Sequence, residues 1–285
     1  MTTQPVETVD ASAGVEDPVV SAEGVTLRFG GVTSLAGVSV AVQRGEILAV
    51  IGPNGAGKTS LFNCLTGVYV PQEGEIAFRG REGTAVPLAG RKPHRITNLG
   101  IARTFQNIRL FNALTALENV KIGVESRQHT GPIGAMLRIP RARREDRDSD
   151  KRALDLLEFV GLRRNANRIA AGLAYGEQRR LEIARALATD PQLLLLDEPA
   201  AGTNPAEKAD LERLIRRINT ELDVSVLLIE HDMRLVMSLA SRVAVLNFGR
   251  MIAAGTPADV QHNPAVIEAY LGRSDEDGGD DASEG

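Results

Sequence analysis

A glycine-rich segment that begins at Gly52 constrains this chain more than any other feature of its sequence. An apolar run, ILAVI, is typical of a buried strand and leads directly into GPNGAGKT, which matches the pattern G-x-x-x-x-G-K-[ST]. The residues that follow predict a helix from Lys58 to about Leu65. Glycines let successive backbone N–H groups point inward around an anion, and the helix adds its positive N-terminal end. The sequence therefore predicts a strand–loop–helix unit that binds phosphate groups.

This pattern also assigns roles to individual side chains. Lys58 would reach the β- and γ-phosphates of a nucleotide, and the hydroxyl of Thr59 would bind Mg²⁺. The expected nucleotide contacts of the loop are Gly52, Pro53, Asn54, Gly55, Ala56, Gly57, Lys58, Thr59 and Ser60.

Two carboxylates end a second apolar run, LLLLDE. The run alone predicts only a buried strand, but acids at its C-terminal end point to a site, because α/β sheets bind ligands at that edge. Asp197 would hold Mg²⁺, directly or through water, and Glu198 would polarise the attacking water as a general base. The alternative interpretation is a pair of solvated acids at a strand end.

Strand and helix patterns alternate along the chain, which predicts an α/β fold with a mostly parallel sheet covered on both faces. A mostly helical stretch from about 115 to 188 indicates a subdomain inserted into that sheet, and a further helix is expected over 206–219. The early strands and RMIAAG are candidates for an antiparallel β edge. The predicted strands are VTLRF, VSVAV, ILAVI, EIAF, IARTF, LLLLD, VSVLLIE and RVAVLNFG.

Composition separates the two ends of the chain from its middle. Residues 1–22 contain acids and small residues but no Lys or Arg, and residues 273–285 include six carboxylates in SDEDGGDDASEG. Such segments cannot bury enough apolar surface to fold, so we expect a disordered leader and a disordered acidic tail. One domain is predicted between them, over 23–272, with its helical subdomain at about 107–188.

A cluster of basic residues in the predicted subdomain is interleaved with acids. A contact with a membrane surface is one interpretation, and a solvated helix of mixed charge is the one we favour. The basic residues are Arg138, Arg141, Arg143, Arg144, Arg147, Lys151 and Arg152.

Charge, hydropathy and cysteine content restrict the protein class further. No apolar run approaches the roughly 20 residues of a membrane-spanning helix, and the N-terminus lacks the features of a secretory signal, so we expect a soluble chain whose membrane role depends on partners. The net charge of −4 argues against nucleic acid or anionic lipid as a partner. The single cysteine, Cys64, fits a reducing cytoplasm, and its apolar neighbours predict a small buried side chain.

The segment between the two motifs narrows the choice of nucleotide-binding family. LAYGEQRRL, which begins at Leu173, resembles the LSGGQ signature of ABC ATPases. Here Ala174 stands in place of serine, Tyr175 in place of the first glycine, and Glu177 in place of glutamine, while Gly176 is retained. The resemblance implies that Ala174, Tyr175, Gly176 and Glu177 contact nucleotide at the start of a helix.

Segments that resemble the remaining motifs of ABC ATPases are also found in this chain. Gln106 in TFQN resembles the Q-loop glutamine, which touches Mg²⁺ or water and senses the membrane partner. His231 in IEHD resembles the switch histidine that contacts the γ-phosphate, and Phe29 in LRFGG takes the place of the aromatic residue that stacks on adenine. AAGTN lies where the D-loop is expected, with Asn204 in place of aspartate.

Longer stretches resemble one subfamily, the ATP-binding subunits of high-affinity branched-chain amino acid importers. The likeness covers about residues 22–272, and the long arginine-rich insert after ENV within this range is also similar to that subfamily. It rests on NGAGKTSLFNCLTG, RTFQNIRLF, LAYGEQRRLEIARAL, DEPAAGTNP and NPAVIEAYLG.

The resemblance implies an ATPase that works as a dimer with a second ABC subunit, a paralogue or a second copy, because each motif occurs once in this chain. Two ATP molecules, each with Mg²⁺, would lie between the phosphate loop of one subunit and the signature of the other. Closure around the γ-phosphates would move two transmembrane permease subunits. A substrate-binding protein would deliver the transported molecule to those permeases. The expected location is the cytoplasmic face of the membrane.

Several alternatives remain at this stage. The cargo could instead be urea, another amide or a lipid, because the motor motifs do not contact it. A soluble ABC ATPase of DNA repair would carry a long coiled coil, for which the gap from Thr59 to Leu173 leaves no room, and translation factors usually carry two cassettes in one chain. A GTPase would need an N-K-x-D motif, and none is present. A scaffold that binds ATP without hydrolysis is disfavoured by Glu198 and His231.

Overall fold

The computed structural model describes residues 9–126 and 140–271. The strands are β1 Val20–Phe29, β2 Val32–Val42, β3 Ile47–Ile51, β4 Glu73–Arg79, β5 Ala85–Pro87, β6 Ile101–Arg103, β7 Leu193–Asp197, β8 Ser225–Ile229, β9 Arg242–Asn247 and β10 Arg250–Gly255. The α-helices are α1 Lys58–Leu65, α2 Pro93–Leu99, α3 Ala116–Glu125, α4 Pro140–Phe159, α5 Tyr175–Leu187, α6 Pro205–Leu222, α7 Met233–Leu239, α8 Pro257–Gln261 and α9 Pro264–Leu271.

The chain divides into two compact units. Unit 1 contains the described residues up to 92 and from 225 onward, and unit 2 contains those between 93 and 224. Unit 2 includes the helical stretch predicted at 107–188, together with α2, the strand pair β6–β7 and α6.

Unit 1 is built from two kinds of sheet. An antiparallel sheet has the strand order β2-β1-β4-β5. In the second sheet β3 pairs in parallel with β8 and β9, and β10 pairs antiparallel with β9. The prediction of antiparallel pairing for the early strands and RMIAAG is therefore confirmed, but the early strands and β10 belong to different sheets.

Burial explains why the central strands are continuous apolar runs. Every residue of β3, β7 and β8 is buried, with no polar face. Parallel strands covered on both faces have this character, because neither side meets water. Polar chemistry is consequently confined to the ends of these strands.

In unit 2, α3 and α5 lie against each other at a glycine. A Cβ added at Gly123 of α3 would lie 2.5 Å from the carbonyl oxygen of Arg185 and 2.7 Å from Cβ of Ala188. Only glycine permits this approach. The start of α3 is fixed by Thr115 and Glu118, which form a reciprocal capping box.

The predicted leader extended too far. Ala11 is buried and forms an isolated bridge with Val40 of β2, while β1 begins at Val20 and Val19 is fully buried. Apolar residues in an otherwise acidic segment pack on the antiparallel sheet. The acidic tail at 273–285 and the first eight residues lie outside the described residues.

The arginine-rich stretch is helical from Pro140 onward, which is the secondary structure that the favoured interpretation predicted. Asp150 of this helix pairs with Lys121 at 2.6 Å, and Arg152 pairs with Asp190 at 3.0 Å. Its mixed charges thus bind neighbouring parts of unit 2. Arg138 lies outside the described residues.

We predict that Cys64 resists alkylation in the folded protein. It lies on α1 with 1% of its surface exposed, and burial raises the pKa of its thiol to about 11. Because only the thiolate reacts and an exposed thiol has a pKa of about 8.5, labelling by iodoacetamide at pH 8 should be at least about 100-fold slower than in the guanidinium-unfolded chain. Mass spectrometry of the single cysteine measures both rates. Equal rates would show that the thiol is accessible.

Candidate nucleotide site

The phosphate loop connects β3 to α1 in unit 1, and two of its glycines are required by close contacts. Gly52 has a φ of 150°, and a Cβ there would lie 2.0 Å from the carbonyl oxygen of Leu246. Gly57 has a φ of 105° and precedes α1, and a Cβ there would lie 2.7 Å from the carbonyl oxygen of Ser34. The motif glycines therefore let the loop curl tightly in front of the helix N-terminus.

Lys58 is held in this loop rather than extended from it. Its side-chain Nζ donates to the carbonyl oxygens of Gly52 at 2.7 Å and Pro53 at 3.0 Å, and only 8% of the residue is exposed. The next residue, Thr59, is exposed at the start of α1, and the hydroxyl of Ser60 lies 2.7 Å from that of Ser34. The loop thus presents a cation and a hydroxyl at the positive end of a helix.

The aromatic residue predicted to stack on adenine lies at the surface. Phe29, at the end of β1, is 45% exposed and meets Tyr69 edge to face with the ring centroids 5.0 Å apart. A core position for Phe29 is thereby excluded.

His231 follows β8 and carries an imidazole that is 64% exposed. The buried carboxylate of Glu230 accepts hydrogen bonds from the backbone N–H groups of His231 at 3.1 Å and Asp232 at 3.4 Å. Asp232 in turn caps α7. Glu230 thus fixes the main chain beneath an accessible histidine. Its position directly before His231 in IEHD is the only sequence signal for this role.

The last described helix contributes to the loop as well. Partial burial raises the pKa of the Tyr270 phenol on α9, and the nearby backbone of Gly52 opposes that shift. Nothing in the local sequence pattern indicated this contact, because more than 200 residues separate the two.

Unit 2 brings the second set of predicted residues together. β6 and β7 are parallel neighbours, with Arg103 opposite Leu195, so the segments that follow them leave the same edge. The amide Nε2 of Gln106 donates to Oε2 of Glu198 at 2.8 Å. Glu198 has a φ of 45°, which is rare for a residue with a side chain and typical of functional sites.

Asp197 makes an ion pair that sequence reasoning missed. Nη2 of Arg103 lies 2.8 Å from Oδ2 of Asp197, and both side chains are less than a tenth exposed. The only sequence signal for this pair was a basic residue at the end of the short apolar strand IAR. The pair fixes the carboxylate at the end of β7.

The signature residues begin α5. The carboxylate of Glu177 accepts from the backbone N–H of Ala174 at 3.0 Å and from Nδ2 of Asn165 at 2.6 Å, so it caps the helix. A Cβ at Gly176 would lie 2.7 Å from Oε1 of Glu207, so a larger residue there would displace the end of that side chain. Tyr175 is 44% exposed, and its hydroxyl donates to the carbonyl oxygen of Ala201 at 3.0 Å.

One turn into α5, an unforeseen pair of charged residues is almost fully buried. Arg179 and Glu182 are each 1% exposed, and their side chains meet at 3.0 Å. Burial raises the pKa of the Glu182 carboxyl, while the N–H of Arg109 and the charge of Arg179 oppose that shift. A charged pair spaced i, i+3 on a helix usually lies at the surface, so the helical pattern gives no sign of this burial.

The predicted D-loop, residues 200–204, ends in a helix cap. The side-chain oxygen of Asn204 accepts from the N–H groups of Ala206 and Glu207, each at 3.0 Å, and Glu207 accepts from the N–H of Asn204. Asparagine and aspartate cap helices about equally well. Asn204 therefore keeps the start of α6 that aspartate would give.

The donors predicted for Mg²⁺ have suitable chemistry. Within residues 9–126 and 140–271, no group of three His, Cys, Asp or Glu side chains could hold a metal alone. Mg²⁺ needs no such group, because it keeps several waters and binds one or two protein oxygens beside substrate phosphates. The hydroxyl of Thr59, a carboxylate oxygen of Asp197 and the amide oxygen of Gln106 are hard oxygen donors of this kind.

The fold and these motifs define an ATP-binding cassette, and comparisons with known proteins agree. Residues 35–201 match the family model described as ABC transporter, and residues 250–276 match the model described as branched-chain amino acid ATP-binding cassette transporter.

Relatives and solved structures give the same result. The high-affinity branched-chain amino acid transport ATP-binding protein BraF of Pseudomonas aeruginosa is 46% identical over 90% of this chain and 99% of its own length. LivG of Escherichia coli, which has the same description, is 44% identical over 91% of this chain and 100% of its own. A solved ATP-binding cassette of an ABC transporter, in its ADP conformation, matches with a TM-score of 0.76 and 30% identity over 90% of this chain and 99% of its own.

The chain belongs to the ABC transporter ATP-binding proteins, within the branched-chain amino acid transport type. It is thus an ATPase of the ABC fold, as the sequence predicted. Cassettes of this fold form dimers, one of which was solved after hydrolysis with ADP and Pi and is 26% identical to this chain, with a TM-score of 0.68 over 84% of this chain and 98% of its own. Among the described residues, none of the helices has the length and apolar character needed to span a membrane.

We predict that replacement of Asn204 by alanine destabilises the protein, because the first turn of α6 loses its cap. The free energy of unfolding should fall by about 1 kcal/mol in Asn204→Ala and by no more than a few tenths in Asn204→Asp. Urea unfolding followed by circular dichroism measures both values. Equal stability of the two variants would show that the cap contributes nothing.

Proposed function

We propose that this chain powers the import of branched-chain amino acids, by binding and hydrolysing ATP in a dimer of cassettes. The names of its relatives support the cargo and the ABC family supports the ATPase activity. The observation that carries the hydrolytic role is the 2.8 Å hydrogen bond between Gln106 and Glu198 at the end of β7. It holds a carboxylate at the sheet edge where ligands of α/β folds bind.

Nucleotide binding is proposed for the phosphate loop. Lys58 would exchange the carbonyl oxygens of Gly52 and Pro53 for phosphate oxygens, and the backbone N–H groups at the start of α1 would donate to the same anion. Phe29 would stack on the adenine ring. The proposed contacts are residues 52–60, Phe29, and, from the second subunit, Ala174, Tyr175, Gly176 and Glu177.

Glu198 is proposed as the general base. Its carboxylate would accept a proton from the attacking water, Gln106 would orient that water, and the exposed imidazole of His231 would donate to the γ-phosphate. Bound Mg²⁺ would neutralise phosphate charge, with Thr59, Asp197 and Gln106 as its protein ligands. Arg103 would keep the carboxylate of Asp197 oriented through their 2.8 Å ion pair.

The signature of this chain would act on the nucleotide of a second cassette. Glu177 caps α5 through Ala174, so the residues at the helix start are fixed before any ligand arrives. The negative charge of Glu177 would repel a phosphate group. Its hydrogen bonds to the N–H of Ala174 and to Nδ2 of Asn165 direct that carboxylate to the helix cap instead. The helix N-terminus itself would supply the positive potential.

The remaining proposed partners are two permease subunits and, through them, a substrate-binding protein. Attachment to the permeases would place the cassette at the cytoplasmic face of the membrane. The alternative is a transporter of another cargo, such as urea, another amide or a lipid. The same ATP hydrolysis would power it.

We predict that Glu198→Gln nearly abolishes turnover and preserves ATP binding. The amide cannot accept the proton of water but keeps the size of the side chain, so kcat should fall at least about 100-fold, whereas the Kd for ATP changes little. Steady-state ATPase assays and ATP titration measure these quantities. Glu212→Gln, which changes a half-buried carboxylate of α6 that pairs with Arg216, is the matched control and should hydrolyse ATP normally. Wild-type turnover by Glu198→Gln would remove Glu198 from the role of base.

We also predict that the Glu198→Gln protein, isolated with ATP from gently solubilised membranes, retains its transporter partners, because the ATP-bound dimer does not reopen. Mass spectrometry should identify two polytopic permeases, a second cassette and an amino-acid-binding protein. Recovery of a binding protein for a different solute would show that the transported cargo is not a branched-chain amino acid. Recovery of ribosomal or DNA-bound proteins instead would contradict the transporter role and leave the ATPase intact.

A further inference from the structure

The buried arginine of α5 has an unusual set of partners. Arg179 is 1% exposed, and a buried charge is unfavourable unless it is paired and hydrogen-bonded. Its Nη1 meets Glu182 at 3.0 Å. Replacement of such a pair by apolar residues of equal volume is often neutral for stability, so stability alone does not explain its presence.

Both members of the pair bind the main chain around Gln106. Arg179 donates to the carbonyl oxygens of Phe105 at 2.7 Å and Gln106 at 2.8 Å. Glu182 accepts from the backbone N–H groups of Arg109 at 3.2 Å and Phe105 at 3.4 Å. The segment 105–109 is therefore held on both its donor and its acceptor side, and the direction of the Gln106 side chain follows from that anchoring.

The same arginine reaches the segment after Glu198 through a tyrosine. Nη2 of Arg179 donates to the hydroxyl of Tyr175 at 3.2 Å, and that hydroxyl donates to the carbonyl oxygen of Ala201 at 3.0 Å. A Cβ at Gly202 would lie 3.4 Å from the Tyr175 ring, so the aromatic side chain also packs on this segment. A single guanidinium thus connects the start of α5, the segment 105–109 and the residues 201–202.

We propose that Arg179 is a positioning residue for ATP hydrolysis, which couples the signature end of α5 to Gln106 and Glu198 with Tyr175 as its relay. The inference rests on the proposed roles of Gln106 and Glu198. When nucleotide draws the start of α5 toward a second cassette, the fork of Arg179 moves the main chain of Gln106 with it. The shape of guanidinium matters here, because lysine carries the charge but cannot donate to two carbonyls and a hydroxyl in this plane.

A matched control exists in the same unit. Arg217 of α6 also pairs with a glutamate, Glu221, at 2.8 Å, donates to the carbonyl oxygen of Phe159 at 3.1 Å and lies over that ring. It contacts none of the segments proposed to act on ATP. Arg217→Lys therefore makes the same chemical change at a half-exposed position, without the proposed coupling.

The test compares Arg179→Lys and Arg217→Lys in the full-length protein, by hydrogen exchange without nucleotide and by ATPase kinetics. In Arg179→Lys, the amides of 105–109 and 200–203 should exchange at least about tenfold faster and kcat should fall about tenfold, with KM for ATP changed less than about twofold. Arg217→Lys should match the wild type in both readouts. Wild-type exchange at 105–109 together with wild-type kcat in Arg179→Lys would overturn the proposal.

Tyr175→Phe keeps the test decisive if Arg179→Lys folds poorly, because it removes one hydroxyl and no charge. Its exchange should accelerate at 200–203, its kcat should fall a few-fold, and Tyr175→Phe combined with Arg179→Lys should lose no more kcat than Arg179→Lys alone. Wild-type kcat and exchange in Tyr175→Phe, or additive losses in the double variant, would overturn the relay. Hydrogen exchange does not require turnover, so failure of Glu198 as the base would be seen separately, as normal hydrolysis by Glu198→Gln.

Discussion

The complete burial of three short strands is the constraint on which the rest of the structure depends. β3, β7 and β8 have no face open to water, so each is almost entirely apolar, and the one charged side chain among them, Asp197, is the last residue of β7 and is paired with Arg103. The chemistry therefore begins where each strand stops. β3 leads to the phosphate loop, β7 to Asp197 and Glu198, and β8 to His231.

Local features were predictable from the sequence because their residue types are fixed by local geometry. The helix predicted from Lys58 to about Leu65 is present over Lys58–Leu65, since a glycine with positive φ and a lysine–threonine pair define its start. The apolar strands were found for the same reason, and the helix predicted at 206–219 is present over 205–222. The exposed positions of Phe29 and His231 agree with the roles that family resemblance suggested.

Long-range polar contacts were not predictable, because nothing in a local pattern encodes them. Arg103 and Asp197 are 94 residues apart, and Arg179 lies 74 residues from Phe105. On periodicity alone, Arg179 and Glu182 are an ordinary exposed pair of a helix. Their burial depends on the main chain of 105–109, which supplies the hydrogen bonds that a buried charge requires. The buried Ala11 in the acidic leader escaped prediction for a similar reason, since its partner Val40 belongs to β2.

The departures of this signature from LSGGQ form a consistent set when the side chains are followed to their partners. Alanine has no side-chain oxygen with which to cap a helix. The carboxylate of Glu177 caps α5 instead, through the N–H of Ala174. Tyr175 brings a hydroxyl that glycine lacks, and this hydroxyl lies between Arg179 and the carbonyl oxygen of Ala201. The substitutions thus exchange groups that would face a ligand for contacts within unit 2. We therefore propose that a signature of this kind would act on phosphate mainly through the backbone and dipole of α5, while its side chains fix the position of the helix.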